Sequence, residues 1–253
     1  MKIADPCDHF NPAQFLLLRN SSVANVKILL WDIDGTLIRS GNAGQRAMNA
    51  AALAVFRIPG AFNEFDFAGR TDPWIVDTLC REHGHCATPD EVGRFYAVYV
   101  DSLRRELHNP LARTCAGVRE LLAHFAAQPA VVQGLLTGNI AAGARAKLEH
   151  FDLWRYFVFG AFADDSGDRN QLGPVAHERA RAHLGRDDLR PSDFVVIGDT
   201  PHDIACARAF GAHCAVAATG RFTVADLAAH GPDLVVRDFG DPTVLTGFVE
   251  RLG

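Results

Sequence analysis

Nowhere in the 253 residues is there an uninterrupted apolar run of the roughly eighteen residues that a membrane-spanning helix needs. Long basic runs are also missing, and the formal net charge is −5. Both absences argue against a nucleic-acid partner or an anionic membrane surface. The six cysteines, Cys7, Cys80, Cys86, Cys115, Cys206 and Cys214, are scattered and form no Cys-x-x-Cys pair. A chain of this length needs no disulfide framework, so the expectation is reduced thiols and a cytoplasmic setting. "FLLL" at 15–18 is too short for a signal-peptide core, and residues 1–24 read as a weakly ordered N-terminal arm. Internal repeats and low-complexity tracts are absent as well.

What is present is ordinary for a globular enzyme or binding domain: 48% hydrophobic and 22% charged residues. The length suits one large domain, or a domain carrying an insertion. Short apolar runs recur: "VKILLWDID" (26–34), "AVVQGLLTGN" (130–139), "YFVFGAF" (156–162), "DFVVIGDT" (193–200), "HCAVAAT" (213–219) and "DLVVRD" (233–238). Near-continuous runs of this length suit strands buried on both faces. Helical stretches lie between them, among them 141–153 and 201–211, the latter stopped by Gly211. The alternation predicts an α/β fold, a Rossmann-like parallel sheet with helices on both faces.

One interval breaks the rhythm. From 42 to 112 the apolar spacing is helical, over 43–57, 71–84 and 89–107, and no strand is evident. It reads as an α-helical insertion after the first strand, dividing the chain into a core (25–41 and 113–253) and a cap (42–112).

In an open parallel sheet the chemistry lies beyond the carboxyl ends of the strands. The segments found there are Asp32-Ile33-Asp34-Gly35-Thr36, Thr137-Gly138-Asn139, the loop 163–170 with Arg169, and Gly198-Asp199-Thr200-Pro201-His202-Asp203. Residues i and i+2 of a strand share a side, so Asp32 and Asp34 can both face this rim. Asp199 and Asp203, one helical turn apart, can do the same. Up to four carboxylates would then meet. A divalent cation relieves their repulsion, and a hard oxygen site suits Mg²⁺. With Arg169, backbone N–H groups and Thr137 added, the field can favour a phosphate.

These pieces, "DIDGT", "LLTGN" and "GDTPHD" in that order, resemble the haloacid dehalogenase-like hydrolase superfamily of Asp-nucleophile phosphatases over about residues 26–238. "FAGRTD" (67–72) and "TGRFTVADL" (219–227) resemble its phosphoglycolate-phosphatase branch. The resemblance implies a helical cap and a division of labour. Asp32 would attack phosphorus and form an aspartyl-phosphate. Asp34 would protonate the leaving oxygen and later deprotonate water. Mg²⁺ would be held by the Asp32 carboxylate, the Asp34 carbonyl and Asp199, supported by Asp203. Thr137, Gly138 and Asn139 would hold phosphoryl oxygens. The family commonly places a lysine before the last of these loops. Here Lys147 falls within a helix, so Arg169 is the expected basic residue, ahead of Arg179 and Arg181.

Simpler readings stand beside these. DxDGT alone is a turn sequence; Thr137 alone is a helix cap; Arg169 alone is a loop charge. His202 reads first as a helix-start residue. "CREHGHC" (80–86) gathers Cys80, His83, His85 and Cys86, which are zinc-binding residue types, but reads first as a helix end and a Gly turn. In the cap, Arg70 and Thr71 are candidates for touching substrate, whereas Trp74, Phe95, Tyr96 and Tyr99 read as core.

The expectation is therefore a Mg²⁺-dependent phosphatase of small phosphorylated metabolites, phosphoglycolate-like ones by resemblance. The rivals are a sugar phosphomutase on the same core and a non-catalytic phosphate-binding module. Dehalogenase and phosphonatase readings are weaker, because those branches lack an acid at the position of Asp34. Neither the physiological substrate nor the oligomeric state follows from the sequence.

Overall fold

Strand β1 (Lys27–Trp31) is buried along its whole length because both faces of its sheet are covered. A computed structural model describes residues 25–252; the expected N-terminal arm over 1–24 and Cys7 lie outside the described residues. Alternate side chains of β1 serve two separate cores. Leu29 and Trp31 join one apolar cluster, while Ile28 and Leu30 join the other. All four are fully buried, each contributing about 1.5–3 kcal/mol or more. The period-two division is what a strand between two helical layers requires.

The remaining strands of the main sheet are β4 (Val131–Leu136), β5 (Gly160–Ala161), β6 (Phe194–Gly198), β7 (His213–Ala217) and β8 (Leu234–Val236). Their order is β5-β4-β1-β6-β7-β8, and every pairing is parallel. All six expected strands are present. The run 156–162, however, is strand only at Gly160–Ala161, which pairs with Leu135–Leu136. Trp154–Tyr156 forms a 3-10 turn first, and β5 lies at the sheet edge with a single neighbour.

Helices α4 (Val118–Ala126) and α9 (Pro242–Arg251) cover one face, through Leu121, Leu122, Phe125, Leu245 and Phe248. Helices α6 (Leu172–Leu184) and α7 (Pro201–Phe210) cover the other, through Leu172, Ala176, Ile204 and Ala207. As expected, α7 stops at Gly211, whose φ of 81° is the left-handed value that glycine adopts at little cost. Helix α5 (Ala141–His150) follows β4, and the short α8 (Val224–Ala228) follows β7.

The interval 42–112 contains α1 (Ala43–Phe56), α2 (Asp72–Glu82) and α3 (Pro89–Glu106), close to the expected spans. A capping box, Thr88 with Glu91, starts α3. The interior of these helices is aromatic: Phe62 lies 5.3 Å from Phe65, and Phe56 is 5.5 Å from Phe95. Two short antiparallel strands flank the interval, β2 (Ile38–Arg39) and β3 (Arg113–Thr114), in the register Ile38↔Thr114 and Arg39↔Arg113. Among the described residues no helix is long and apolar enough to cross a membrane.

Candidate active site

The carboxyl ends of the central strands bring the loops together. Asp32 follows β1 directly, its N–H bonded to the Ile197 carbonyl of β6 at 2.8 Å. Asp199 follows β6. Asp203 is the third residue of α7 and closes a capping box with Thr200. Oxygens of Asp32, Asp199 and Asp203 all lie within 4.8 Å of one another, and all three residues are buried. Among the described residues this is the group of acids, cysteines or histidines placed to hold a metal ion.

Each acid is oriented differently. The Oδ2 of Asp203 accepts from Asp199 N–H (3.2 Å), Thr200 N–H (2.9 Å) and the Thr200 hydroxyl (2.7 Å). Its Oδ1 accepts from Arg169 Nη2. Four donors leave Asp203 to order the loop. Asp199 accepts from the Thr36 hydroxyl at 3.2 Å. Its other oxygen lies against two glycines: a Cβ at Gly35 would stand 2.2 Å from Asp199 Oδ2, and one at Gly220 would stand 1.8 Å away. Only residues without a side chain can pack there. Asp32 pairs with Arg169 Nη2 at 3.1 Å.

The electrostatics follow from burial. Burial pushes the Asp32 carboxyl up to about 6; Arg169 opposes this, and Asp203 and Asp34 add to it. Burial also holds Asp199 well above the usual carboxylate range, with Asp203 and Asp32 reinforcing it. For Arg169 burial favours the neutral form, but Asp203 and Asp32 outweigh it and raise the guanidinium above its ordinary value. Three buried acids facing one cation are short of positive charge, and carboxylate oxygens are the donors that Mg²⁺ takes. The residues therefore fit a hard divalent ion.

Asp34 faces elsewhere. Its side chain is 42% exposed against 6% for Asp32. Its Oδ2 accepts from Asn139 Nδ2 at 2.9 Å and from Lys147 Nζ at 2.5 Å. Three carboxylates converge rather than four, because Asp34 lies past the end of β1 and turns into the cavity above. That cavity, about 310 Å³, is lined by Asp32, Asp34, Asn139, Lys147, Arg169 and Asp199 from the core, among others. Arg70, Ile75 and Tyr99 line it from the cap.

The linker 66–72 binds the cap to these loops. Asp72 N–H donates to the Gly138 carbonyl at 2.7 Å, and Asp72 Oδ2 accepts from Ile140 N–H at 2.8 Å. The Thr71 hydroxyl donates to the Gly167 carbonyl at 2.6 Å and caps α2. Gly69, at φ 69°, packs so closely on Thr200 and His202 that a Cβ would stand 2.7 Å from Thr200 and 2.6 Å from His202. The Arg70 guanidinium stacks on the Trp74 ring, 4.2 Å from its centroid. The ring of His202 is held below its ordinary pKa by burial, then by Arg70 and Arg169, the position of a helix-start residue beneath the linker.

The expected site residues are thus largely gathered in one place. Arg169 reaches Asp32, whereas Arg179 pairs with Asp165 and Arg181 with Glu178 and Asp187. Gly138 and Asn139 line the cavity. Thr137 is fully buried behind them, its hydroxyl accepting from Asn139 Nδ2 at 2.9 Å. His83 bonds Leu79 and His85 faces Glu91, so the 80–86 segment gathers no metal cluster among the described residues. Tyr99, expected as core, is buried but lines the cavity. Sequence reasoning passed over Lys147, Asp72, Thr36 and Gly220. For Lys147 a signal existed: it shares a helix face with Gly143 and Ala144 at spacings of four and three, and that face is buried.

A six-stranded parallel sheet with acids on its carboxyl rim and helices above defines a Rossmann-like α/β fold. A family profile described as HAD-hydrolase-like, that is, haloacid dehalogenase-like, matches residues 170–242. Solved structures match across most of the chain. A protein of Haemophilus somnus 129PT named as a predicted phosphoglycolate phosphatase is 21% identical, covers 89% of this chain and 100% of its own, and has a TM-score of 0.66. A hydrolase from Pseudomonas syringae is 22% identical over 89% and 99%, with a TM-score of 0.68. A Bacteroides vulgatus protein named for β-phosphoglucomutase is 18% identical over 96% and 99%, with a TM-score of 0.65. No curated protein sequence matches significantly. The profile match covers 73 of the 253 residues, and at these identities the solved structures show that the chain shares their fold.

Proposed function

We propose that the protein is a Mg²⁺-dependent phosphatase of small phosphorylated metabolites working through an aspartyl-phosphate. The observation that carries this reading is the pairing of Arg169 with Asp32 inside a cluster of three buried carboxylates, beside a cavity that holds a second, half-exposed acid. A buried acid held by a guanidinium is shielded from water and placed for attack. A half-exposed acid two residues on is placed for proton exchange.

Asp32 attacks phosphorus as the bond to the leaving oxygen breaks, and Asp34 gives that oxygen a proton. A water then attacks the aspartyl-phosphate, giving a proton back to Asp34 and releasing phosphate with Asp32 restored. Arg169 offers its N–H groups to phosphoryl oxygens, joined by the Gly138 and Asn139 N–H groups. Asp32 and Asp199, with the Asp34 carbonyl and Asp203 in support, would hold Mg²⁺, which when bound neutralises the acids and the charge on the phosphoryl oxygens. The cap, with Arg70 and Thr71 at its edge, excludes bulk water and sets specificity. The resemblance of residues 67–72 and 219–227 suggests phosphoglycolate-like substrates, and a reduced, cytoplasmic setting suits the free thiols of Cys80, Cys115, Cys206 and Cys214, all buried.

The test is phosphate release from aryl phosphates and then from a panel of phosphorylated metabolites, with Mg²⁺ and with EDTA. Release is expected with Mg²⁺ alone, and Asp32→Asn should reduce it by about 10³-fold or more. Activity surviving in Asp32→Asn would remove the nucleophile. The mutase reading is favoured by the fold shared with the Bacteroides vulgatus protein; phosphate moved between hydroxyls with little net release would establish it.

A further inference from the structure

Lys147 is a lysine with only 5% of its side chain exposed, in the middle of α5, yet its ammonium reaches the active cavity. A buried charge persists only when paired and hydrogen-bonded. Lys147 Nζ donates to Asp34 Oδ2 at 2.5 Å and to Asn139 Oδ1 at 2.5 Å. Asn139 Nδ2 in turn donates to the same Asp34 Oδ2 at 2.9 Å and to Thr137 Oγ1 at 2.9 Å. The three side chains form a closed triangle, fastened through Thr137 to the loop after β4. Asp72 places a second negative charge near the ammonium from the cap side.

The triangle distinguishes the two oxygens of Asp34. Oδ2 receives two donors and acts as an acceptor only. A carboxyl proton bound for a substrate must then sit on Oδ1, the oxygen left to the cavity. The terminal torsion of an aspartate is broad and nearly two-fold, so without such partners either oxygen would present itself.

We infer that Lys147 is a positioning residue for proton transfer at the leaving oxygen, holding Asp34 with Oδ2 against the core and Oδ1 towards the leaving group. This rests on the phosphatase reading. The proton on Oδ1 passes to the ester oxygen as its bond to phosphorus breaks and the bond from Asp32 forms. Asp34 is left as a carboxylate with the same oxygen facing the water that later attacks. Lys147 itself exchanges no proton and touches no reacting atom.

The experiment uses the full chain with Mg²⁺ and compares phenyl phosphate with 4-nitrophenyl phosphate. Phenolate is a poor leaving group that needs a proton; nitrophenolate leaves readily without one. General acid catalysis contributes about 10²–10⁴-fold, so in Lys147→Met the kcat/KM for phenyl phosphate should fall by at least about 30-fold. The value for 4-nitrophenyl phosphate should fall at least about tenfold less. Lys147→Gln, which can still donate to Oδ2, should recover part of the lost ratio and serves if the methionine variant fails to fold. Equal losses for both esters, or no loss for either, overturn the inference. If the wild-type protein hydrolyses neither ester, it is the phosphatase reading that fails.

Discussion

The floor of the site and its roof are built on different terms. The floor, Asp32, Arg169, Asp199 and Asp203, comes from three core loops, and each of these residues is at most 7% exposed. Its one guanidinium pairs with both Asp32 and Asp203 inside the protein, and Gly35 and Gly220 leave no room beside Asp199. The roof, from Arg70 to Tyr99, is drawn from the cap and mixes a stacked guanidinium with apolar walls. A buried charge network is intolerant, because removing one member strands the others. A half-open wall accepts change. Substitutions in the floor should therefore cost more than substitutions in the roof.

Three substitutions sharpen that contrast. Arg169→Ala strips the floor of its cation and leaves two buried acids uncompensated. Stability should fall by about 3–5 kcal/mol, read from a urea melt, and phosphate release should be lost. Unchanged stability would mean that the acids are already neutral. Gly220→Ala forces a methyl group onto Asp199 Oδ2. The concentration of Mg²⁺ giving half-maximal rate should rise about 10–100-fold, the range seen when partners of metal ligands are disturbed; an unaltered Mg²⁺ titration would break the assignment of Asp199.

The smallest effect is expected at the roof. Burial pushes the Asp72 carboxyl up to about 7, with Lys147 opposing, against an ordinary value of 3.8. Between those two values the unfolded chain binds fewer protons than the folded one, so stability falls as pH rises from about 4 to about 7. Asp72→Asn keeps an oxygen for the Ile140 N–H and carries no charge. Its melting temperature should match the wild type near pH 4, exceed it by a few degrees at pH 7.5, and gain nothing further above that. A gap that closes as pH rises would refute the burial argument.

Most of the floor was legible because its residues stand directly after strands. An apolar run followed by Asp or Thr-Gly-Asn fixes both the strand end and the rim loop, and topology then brings the loops together. Arg169 was legible by position along the chain alone. Lys147 was not, because a lysine in an alanine-rich helix reads as solvated until the helix is known to lie between the sheet and the cap. Asp72 and Gly220 were illegible for the same reason. Their meaning is a close approach between segments far apart in sequence, Asp72 with Ile140 and Gly220 with Asp199. The run 156–162 shrinks furthest, to Gly160–Ala161, because an edge strand needs to match only one neighbour.

The chain leaves the core at Ile38–Arg39 and returns beside itself at Arg113–Thr114. The two crossings are hydrogen-bonded into a ribbon, so the helical unit hangs from a single strap and not from two independent tethers. A rocking of that unit would bend both crossings together. Lengthening one side by a residue would skew the whole roof against the floor, although neither strand touches the cluster of acids.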